Sequence, residues 1–277
     1  MKEEAKTPKT AMICAFEGWN DACQAATNVV SHLIGRYDAI EVRHIRCDAY
    51  YDYQVTRPMS CMVSGRRRIL WPQTTFYDIA IDAATHVFAQ IAPEPNYRWV
   101  EYCHQSLRIA EEFDVDQILT LGSMFADCPH TRPLPIDESD ANCRCDMDRE
   151  YNGPVGIPTV LDTIACDEGF ETSTLWASIP QYLGSDECAQ ATLQMLNHLS
   201  GRLGVELDQG DLPEKAQAWK AQASVLTHCN DELAEYVEHL EHEYDSEQNA
   251  RALADLGTPQ AEMLVKEAEE FLSHMDE

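Results

Sequence analysis

Apolar and polar positions along this chain alternate between two periods. Residues 11–16 (AMICAF) form a short, continuous apolar run, the pattern of a strand buried on both faces of a sheet rather than on one. The acidic turn Glu17-Gly18-Trp19-Asn20 follows. Beyond it Ala22, Ala25, Ala26, Val29, Val30, Leu33 and Ile34 recur at spacings of three and four, which predicts a helix with one apolar face. Asp21 and Gln24 stand as a capping box at its start, and Gly35 stands where a left-handed residue would close it.

The same alternation continues. Residues 40–45 and 59–63 read as extended, separated by Tyr50, Tyr51, Asp52 and Tyr53, whose rings suit either an interface or the cover of a sheet edge. Residues 85–92 read as a strand that ends in the turn Pro93-Glu94-Pro95. Trp99, Cys103, Leu107 and Ala110 then fall at helical spacing, and residues 116–122 (DQILTLG) read as another buried strand. Residues 123–152, with Pro129, Pro133 and Pro135, read as one long loop of the kind that is functional or disordered. A helix through Ala165, a strand over residues 172–178, and a helix capped by Ser185 with Cys188, Thr192, Met195, Leu196 and Leu199 on its buried face complete the pattern. Such alternation argues for an α/β architecture, a mostly parallel or mixed sheet with helices on both faces. The expected division is a flexible start over residues 1–10, an α/β core over residues 11–205 and an acidic, all-helical appendage over residues 206–277. Its helices are expected at residues 213–227 and 230–244, with a short one capped by Ser246 and ended by Gly257 and a last one opened by Thr258 and Pro259.

Composition narrows the function. The 277 residues are 44% hydrophobic, ordinary for a folded domain. No stretch approaches the ~18 apolar residues of a membrane span, and the polar start with Pro8 does not read as a secretory signal, so the cytoplasm is the expected compartment. Eleven cysteines, an odd number sitting mostly in apolar segments, read as reduced core thiols. Cys128, His130, Cys143 and Cys145 crowd into the long loop, but their C-x-H and C-x-C spacings do not match ordinary zinc pairs, so neither a metal nor a cofactor is expected. The net charge of −28 opposes binding to nucleic acid or an anionic membrane. Residues 206–277 hold nineteen Asp or Glu against four Lys or Arg, a net of −15. The appendage is therefore expected on the rim of the core, with an acidic outer surface open to a basic partner. Arg66, Arg67 and Arg68 form the one basic cluster, expected to pair with the chain's own carboxylates.

Catalytic signatures are absent: the chain has no G-x-G-x-x-G, P-loop, H-E-x-x-H or G-x-S-x-G. Glu17 and Asp21 in the first turn would repel a phosphate. They read either as an acid and base pair or as a helix cap beside a solvated Glu, and capping is the simpler account. His130 near Asp127 and Cys128 suggests a nucleophile arrangement, against which an extended, Pro-flanked segment would point the thiol and the imidazole apart.

Several segments together resemble the proteasome assembly chaperone 2 family and its bacterial and archaeal relatives. They are Ala15-Phe16-Glu17-Gly18-Trp19-Asn20-Asp21-Ala22, Pro95-Asn96-Tyr97-Arg98-Trp99, Leu121-Gly122, Ala126-Asp127-Cys128-Pro129-His130-Thr131-Arg132-Pro133, and Tyr151-Asn152-Gly153-Pro154 with Gly156. The resemblance implies a three-layer α/β/α sandwich akin to nucleoside phosphorylases and peptidyl-tRNA-type hydrolases. It also implies a self-associating core, often a trimer, and a chaperone or scaffold role with a proteasome-related protein partner, without established catalysis. Relatives that dock on proteasome rings tend to do so through a C-terminal hydrophobic-Tyr-X tail. This sequence instead reads Ser273-His274-Met275-Asp276-Glu277, so docking by that route is not expected. Two functions remain: a non-enzymatic protein-binding or assembly factor, and a small-molecule enzyme of phosphorylase or hydrolase type. For either, the candidate binding residues are Glu17, Trp19, Asp21, Asp127, His130 and Arg132. They are expected together at the carboxyl ends of adjacent strands, where α/β folds bind ligands.

Overall fold

The computed structural model describes residues 10–46, 48–83, 85–140, 153–184 and 186–255, with side chains to residue 251. Its strands are β1 (Ala11–Glu17), β2 (Asp38–Ile45), β3 (Met59–Val63), β4 (Arg66–Leu70), β5 (Thr74–Ala80), β6 (His86–Pro93), β7 (Gln117–Ala126), β8 (Ile136–Asp140) and β9 (Glu171–Pro180). Its helices are α1 (Ala25–Arg36), α2 (Trp99–Glu112), α3 (Ile157–Asp167), α4 (Ala189–Leu203), α5 (Leu212–His228) and α6 (Asp231–Asp255). Seven strands make one mixed sheet in the order β2-β5-β6-β1-β7-β9-β8. The four inner strands β6, β1, β7 and β9 are parallel, and β2, β5 and β8 complete the sheet through antiparallel pairs.

β1 is central because both of its faces are apolar. Ile13 and Ala15 pack into a cluster with Val29, Val30 and Leu33 of α1 and Met195 and Leu199 of α4. Met12, Cys14 and Phe16 pack on the other side against Tyr102 and Leu107 of α2 and Leu161 of α3. Alternate residues of one strand thus serve two cores, which makes the three-layer sandwich that the resemblance implies. Leu207 and Leu212 join the first cluster, so the acidic helices begin inside the core's own apolar layer.

Several local expectations give way. Gly35 lies within α1, which ends at Arg36, and a Cβ there would meet nothing within 4 Å. Residues 123–152 are not all loop: β7 runs on to Ala126, and residues 136–140 (IDESD) form β8. That strand's single apolar residue leaves no periodic signal, because it pairs on one side only, with β9. The pattern also misses β4 and β5; in β5 the buried positions Thr74, Thr75, Phe76 and Ile79 mix polar with apolar residues. α6 continues past Ser246 as one helix, since no Gly or Pro interrupts it before Gly257. The tyrosines at Tyr50 and Tyr51 are core, not interface. Both are buried, Tyr50 donating its hydroxyl to Gln105 at 2.8 Å and meeting Tyr102 edge-on. Residues 1–9 of the flexible start, Cys143, Cys145, Tyr151, Asn152, Ser185 and the last predicted helix lie outside the described residues.

β3 and β4 pair only with each other, as a hairpin whose turn residues Ser64 and Gly65 both have positive φ, the two-residue geometry that matches strand twist. Among the described residues, Arg66, Arg67 and Arg68 form no ion pair, contrary to the expectation from the sequence.

On β7, Gly122 stands beside Trp176 of β9. A Cβ at Gly122 would lie 2.6 Å from the indole ring. Gly122→Ala is therefore expected to destabilise the fold by about 1–3 kcal/mol through overpacking. Urea unfolding is the check, and an unchanged midpoint would show that Trp176 has room to move.

Candidate functional site

The turn after β1 and the loop after β7 leave the carboxyl ends of adjacent parallel strands, and they are tied together. The Ser123 amide donates to Asn20 O at 2.8 Å, and the Ser123 hydroxyl donates to Ala22 O at 2.9 Å. Asp21 is buried and caps α1, but not through a capping box. Its Oδ1 accepts from the amides of Ala26 at 2.8 Å and Thr27 at 3.3 Å, and its Oδ2 accepts from the Thr27 hydroxyl. The reach is longer than expected because Cys23 and Gln24 both adopt positive φ in a single 3-10 turn before the helix. Burial raises the Asp21 pKa and the Thr27 and Ala26 hydrogen bonds pull it back. Every oxygen of this carboxylate is engaged in holding the helix, which removes it as a catalytic base.

Glu94, just beyond β6, joins the third element at this edge. Its Oε1 accepts from Asn20 Nδ2 and from the Ile157 amide at the start of α3, each at 3.0 Å. Gly156 is required here, because a Cβ would fall 1.8 Å from the Asn20 amide nitrogen. Glu17 and Trp19 stay exposed, Trp19 by 65%. The Glu17 carboxyl is nonetheless crowded by neighbouring protein, which raises its pKa with help from the Asp21 charge.

Asp127, His130 and Arg132 are placed otherwise. All three bond to the chain's own later segments, 50 to 115 residues further on. The His130 amide donates to Tyr182 Oη at 2.8 Å; its Nδ1 lies 2.9 Å from the same hydroxyl, and its Nε2 lies 3.1 Å from Ser224 Oγ. Ser224 itself donates to Lys220 O. A neutral imidazole protonated on Nε2 satisfies all of these bonds at once. Arg132 grips Asp245 with Nε and Nη2 at 2.9 and 2.7 Å and approaches Glu241 at 3.4 Å, while Thr131 donates to Glu241. Asp127 accepts from the Tyr236 hydroxyl at 2.5 Å and from Gln181. The loop is a clasp for α5 and α6. No sequence signal marks Tyr182, Ser224, Tyr236, Glu241 or Asp245 as partners, since the contacts join distant parts of the chain.

No nucleophile emerges from this clasp. The Cys128 thiol is buried against Ser178 O and makes no hydrogen bond to the imidazole, and burial raises its pKa to about 12. Two surface clefts, one lined by Glu138, Asn197 and Arg202 and one by Trp99, Val100 and His104, include none of the six candidate residues. Among the described residues no group of three His, Cys, Asp or Glu converges to hold a metal.

Burial lowers the His130 pKa below its ordinary 6.5, assisted by the charges of Lys220 and His228 and opposed by Glu241. The unfolded chain then takes up this proton at higher pH than the folded one. The contribution of His130 to stability is complete above 6.5 and is lost as pH falls through the folded value. Wild type is expected to lose more stability than His130→Asn between pH 7.5 and 5.5 in urea unfolding. Equal losses would mean that the folded imidazole is not held neutral.

With the fold and this edge established, comparison with known proteins is informative. A model of the PAC2 family matches residues 15–227. The chain is similar to the crystal structure of a Mycobacterium tuberculosis proteasome-assembly chaperone homologue at 34% identity and a TM-score of 0.75, covering 82% of this chain and 100% of that one. It is similar to a PAC2 family protein from Streptomyces avermitilis at 33% identity and a TM-score of 0.76, covering 83% and 100%. An archaeal proteasome activator from Pyrococcus furiosus shares the fold alone, at 16% identity and a TM-score of 0.62 over 81% of this chain and 96% of that one. No curated protein matches. No helix among the described residues is long and apolar enough to cross a membrane. The length of the family match and the identity to two solved relatives place the chain plainly: it belongs to the PAC2 family.

Proposed function

We propose that this protein is a non-enzymatic binding factor with an assembly-chaperone-like role. It works in the cytoplasm as a homo-oligomer, a trimer, on a protein partner of the proteasome-related kind. The observation that carries this reading is what the carboxyl edge offers to solvent. The residues with chemistry there, Asp21, Asp127, His130 and Arg132, are consumed in holding α1, α5 and α6. Beside the Glu17 carboxylate, what stays exposed is mainly apolar: Trp19, Tyr97, Met124, Phe125 and Val155. These belong to one region, because Glu94 ties Asn20 to Ile157 and Ser123 ties Asn20 to β7. Exposed aromatic and apolar side chains rimmed by polar groups suit a protein surface. The enzyme alternative would need a free acid, base or nucleophile in an enclosed pocket; the free carboxyl here, Glu17, stands exposed and lines neither surface cleft. The similarity to a proteasome-assembly chaperone homologue supports the same reading.

Two outcomes are expected. Light scattering at micromolar protein is expected to give the mass of three chains, and a monomer mass would sink the oligomer. Trp19→Asp, at an exposed position, is expected to leave unfolding unchanged while weakening binding to purified proteasome α-subunits at least tenfold, ~1.4 kcal/mol. Equal affinity for wild type and variant, measured by sedimentation, would place the partner surface elsewhere.

A further inference from the structure

Two features on opposite flanks of the carboxyl edge are complementary in both charge and apolarity. β2 ends, and β5 begins, at that edge, so the hairpin between them rises from it on the β2 side. Almost every hairpin residue is exposed; Met59 and Met62 are each 66% accessible. Residues facing one another across the two strands share a face. Met59 with Leu70 and Val63 with Arg66 lie on one face, and Met62 with Arg67 lies on the other. Both faces therefore carry uncovered apolar side chains next to arginine. A two-stranded hairpin with neither face covered is marginal in water. Its charge is also anomalous, since residues 53–77 contain four Arg and no Asp or Glu in a chain of net charge −28.

On the other flank, beyond β7 and β9, the clasp fixes α5 and α6. α6 carries nine carboxylates against one arginine. Glu241 and Asp245 hold the loop after β7, and Glu243 pairs with His239. Glu235 and Glu238 are exposed and form no ion pair among the described residues. At the end of α5, the helix that leads into α6, Val225 and Leu226 are exposed by 64% and 60%. This acidic block has an apolar corner, as the arm has apolar faces among its arginines.

We propose that the β3–β4 hairpin is an arm that docks on the α5–α6 block of a second copy of this chain. The proposal rests on the homo-oligomer stated above and supplies its contact. Two different patches on one molecule meet in a head-to-tail manner, and such a contact closes into a ring when the rotation allows. Arg66 and Arg68, on the face that carries Met59 and Val63, meet Glu235 and Glu238 and relieve the like-charge repulsion between two anionic chains within a Debye length, ~8 Å at physiological salt. Met59 and Val63 cover Val225 and Leu226. Intrachain docking is opposed by placement, because the arm rises beside β2 while the block is bonded to the segment that follows β7, and these strands lie on opposite sides of β1 in the sheet.

The test uses the full chain with a photo-crosslinking amino acid at Met59, together with light scattering. The wild-type oligomer is expected to give crosslinks between chains, mapping to α5 or α6. Exchange of all three arginines for glutamate (R66E, R67E, R68E) is expected to give monomers at micromolar concentration, with unfolding unchanged because the residues are exposed. Adding Glu235→Lys and Glu238→Lys to that variant is expected to restore the oligomer. A wild-type monomer would overturn the oligomer itself. A wild-type oligomer whose mass survives the triple exchange, or whose crosslinks from position 59 fall only within the chain or on β2, would overturn the arm alone. Binding of the arm to neutral or anionic vesicles with the mass unchanged by the exchange would assign it to a membrane instead.

Discussion

The buried carboxylate of Asp21 fixes the working end of this molecule. It sits where the central strand stops, and it closes the N-terminus of α1 across the gap left by two residues of positive φ. The backbone that carries it is anchored to β7 through Ser123 and to α3 through Asn20 and Glu94. Two helices and three strands thus take their relative positions from one short turn. Buried polar groups of this kind are costly unless each finds a partner. The close fit of Asn20 over Gly156 shows how little slack the turn leaves.

The outcome separates reactive-looking residues from reactive ones. His130, Asp127 and Cys128 are neighbours in sequence, as a nucleophile and its base might be. Their side chains nevertheless face Ser224, Tyr236 and Ser178 respectively. The polar loop after β7 is used as a fastening, which converts the appended helices from a separate acidic segment into a fixed part of the surface. The exposed apolar residues left beside it then have a defined frame around them. Binding by such a surface requires rigidity more than chemistry.

Much of the frame was legible because it is written locally. The continuous apolar run of β1, the three-and-four spacing of α1, α2 and α4, and the strand periodicity of β6, β7 and β9 each need only their own segment. β8 was not legible, because an edge strand with one apolar residue in five has no pattern to show. The clasp was not legible for a different reason. Arg132 meets Asp245 and His130 meets Ser224 only through the path of the whole chain, and no spacing rule spans such separations. The capping role of Asp21 was legible, but its geometry was not, since the positive φ of Cys23 and Gln24 has no glycine to announce it.

The central position of β1 has a consequence for how the chain reaches its fold. Met12 pairs with Phe88 on one side and Ile118 on the other, so its first partner is 76 residues away. At a synthesis rate of about 5–20 residues per second, that partner follows about 4–15 s later. The segment that later forms the middle of both cores is made first and waits longest. Until β6 arrives it has only α1 against which to shelter, which makes the βα unit at the start of the chain the earliest piece able to keep its apolar strand from associating with other molecules.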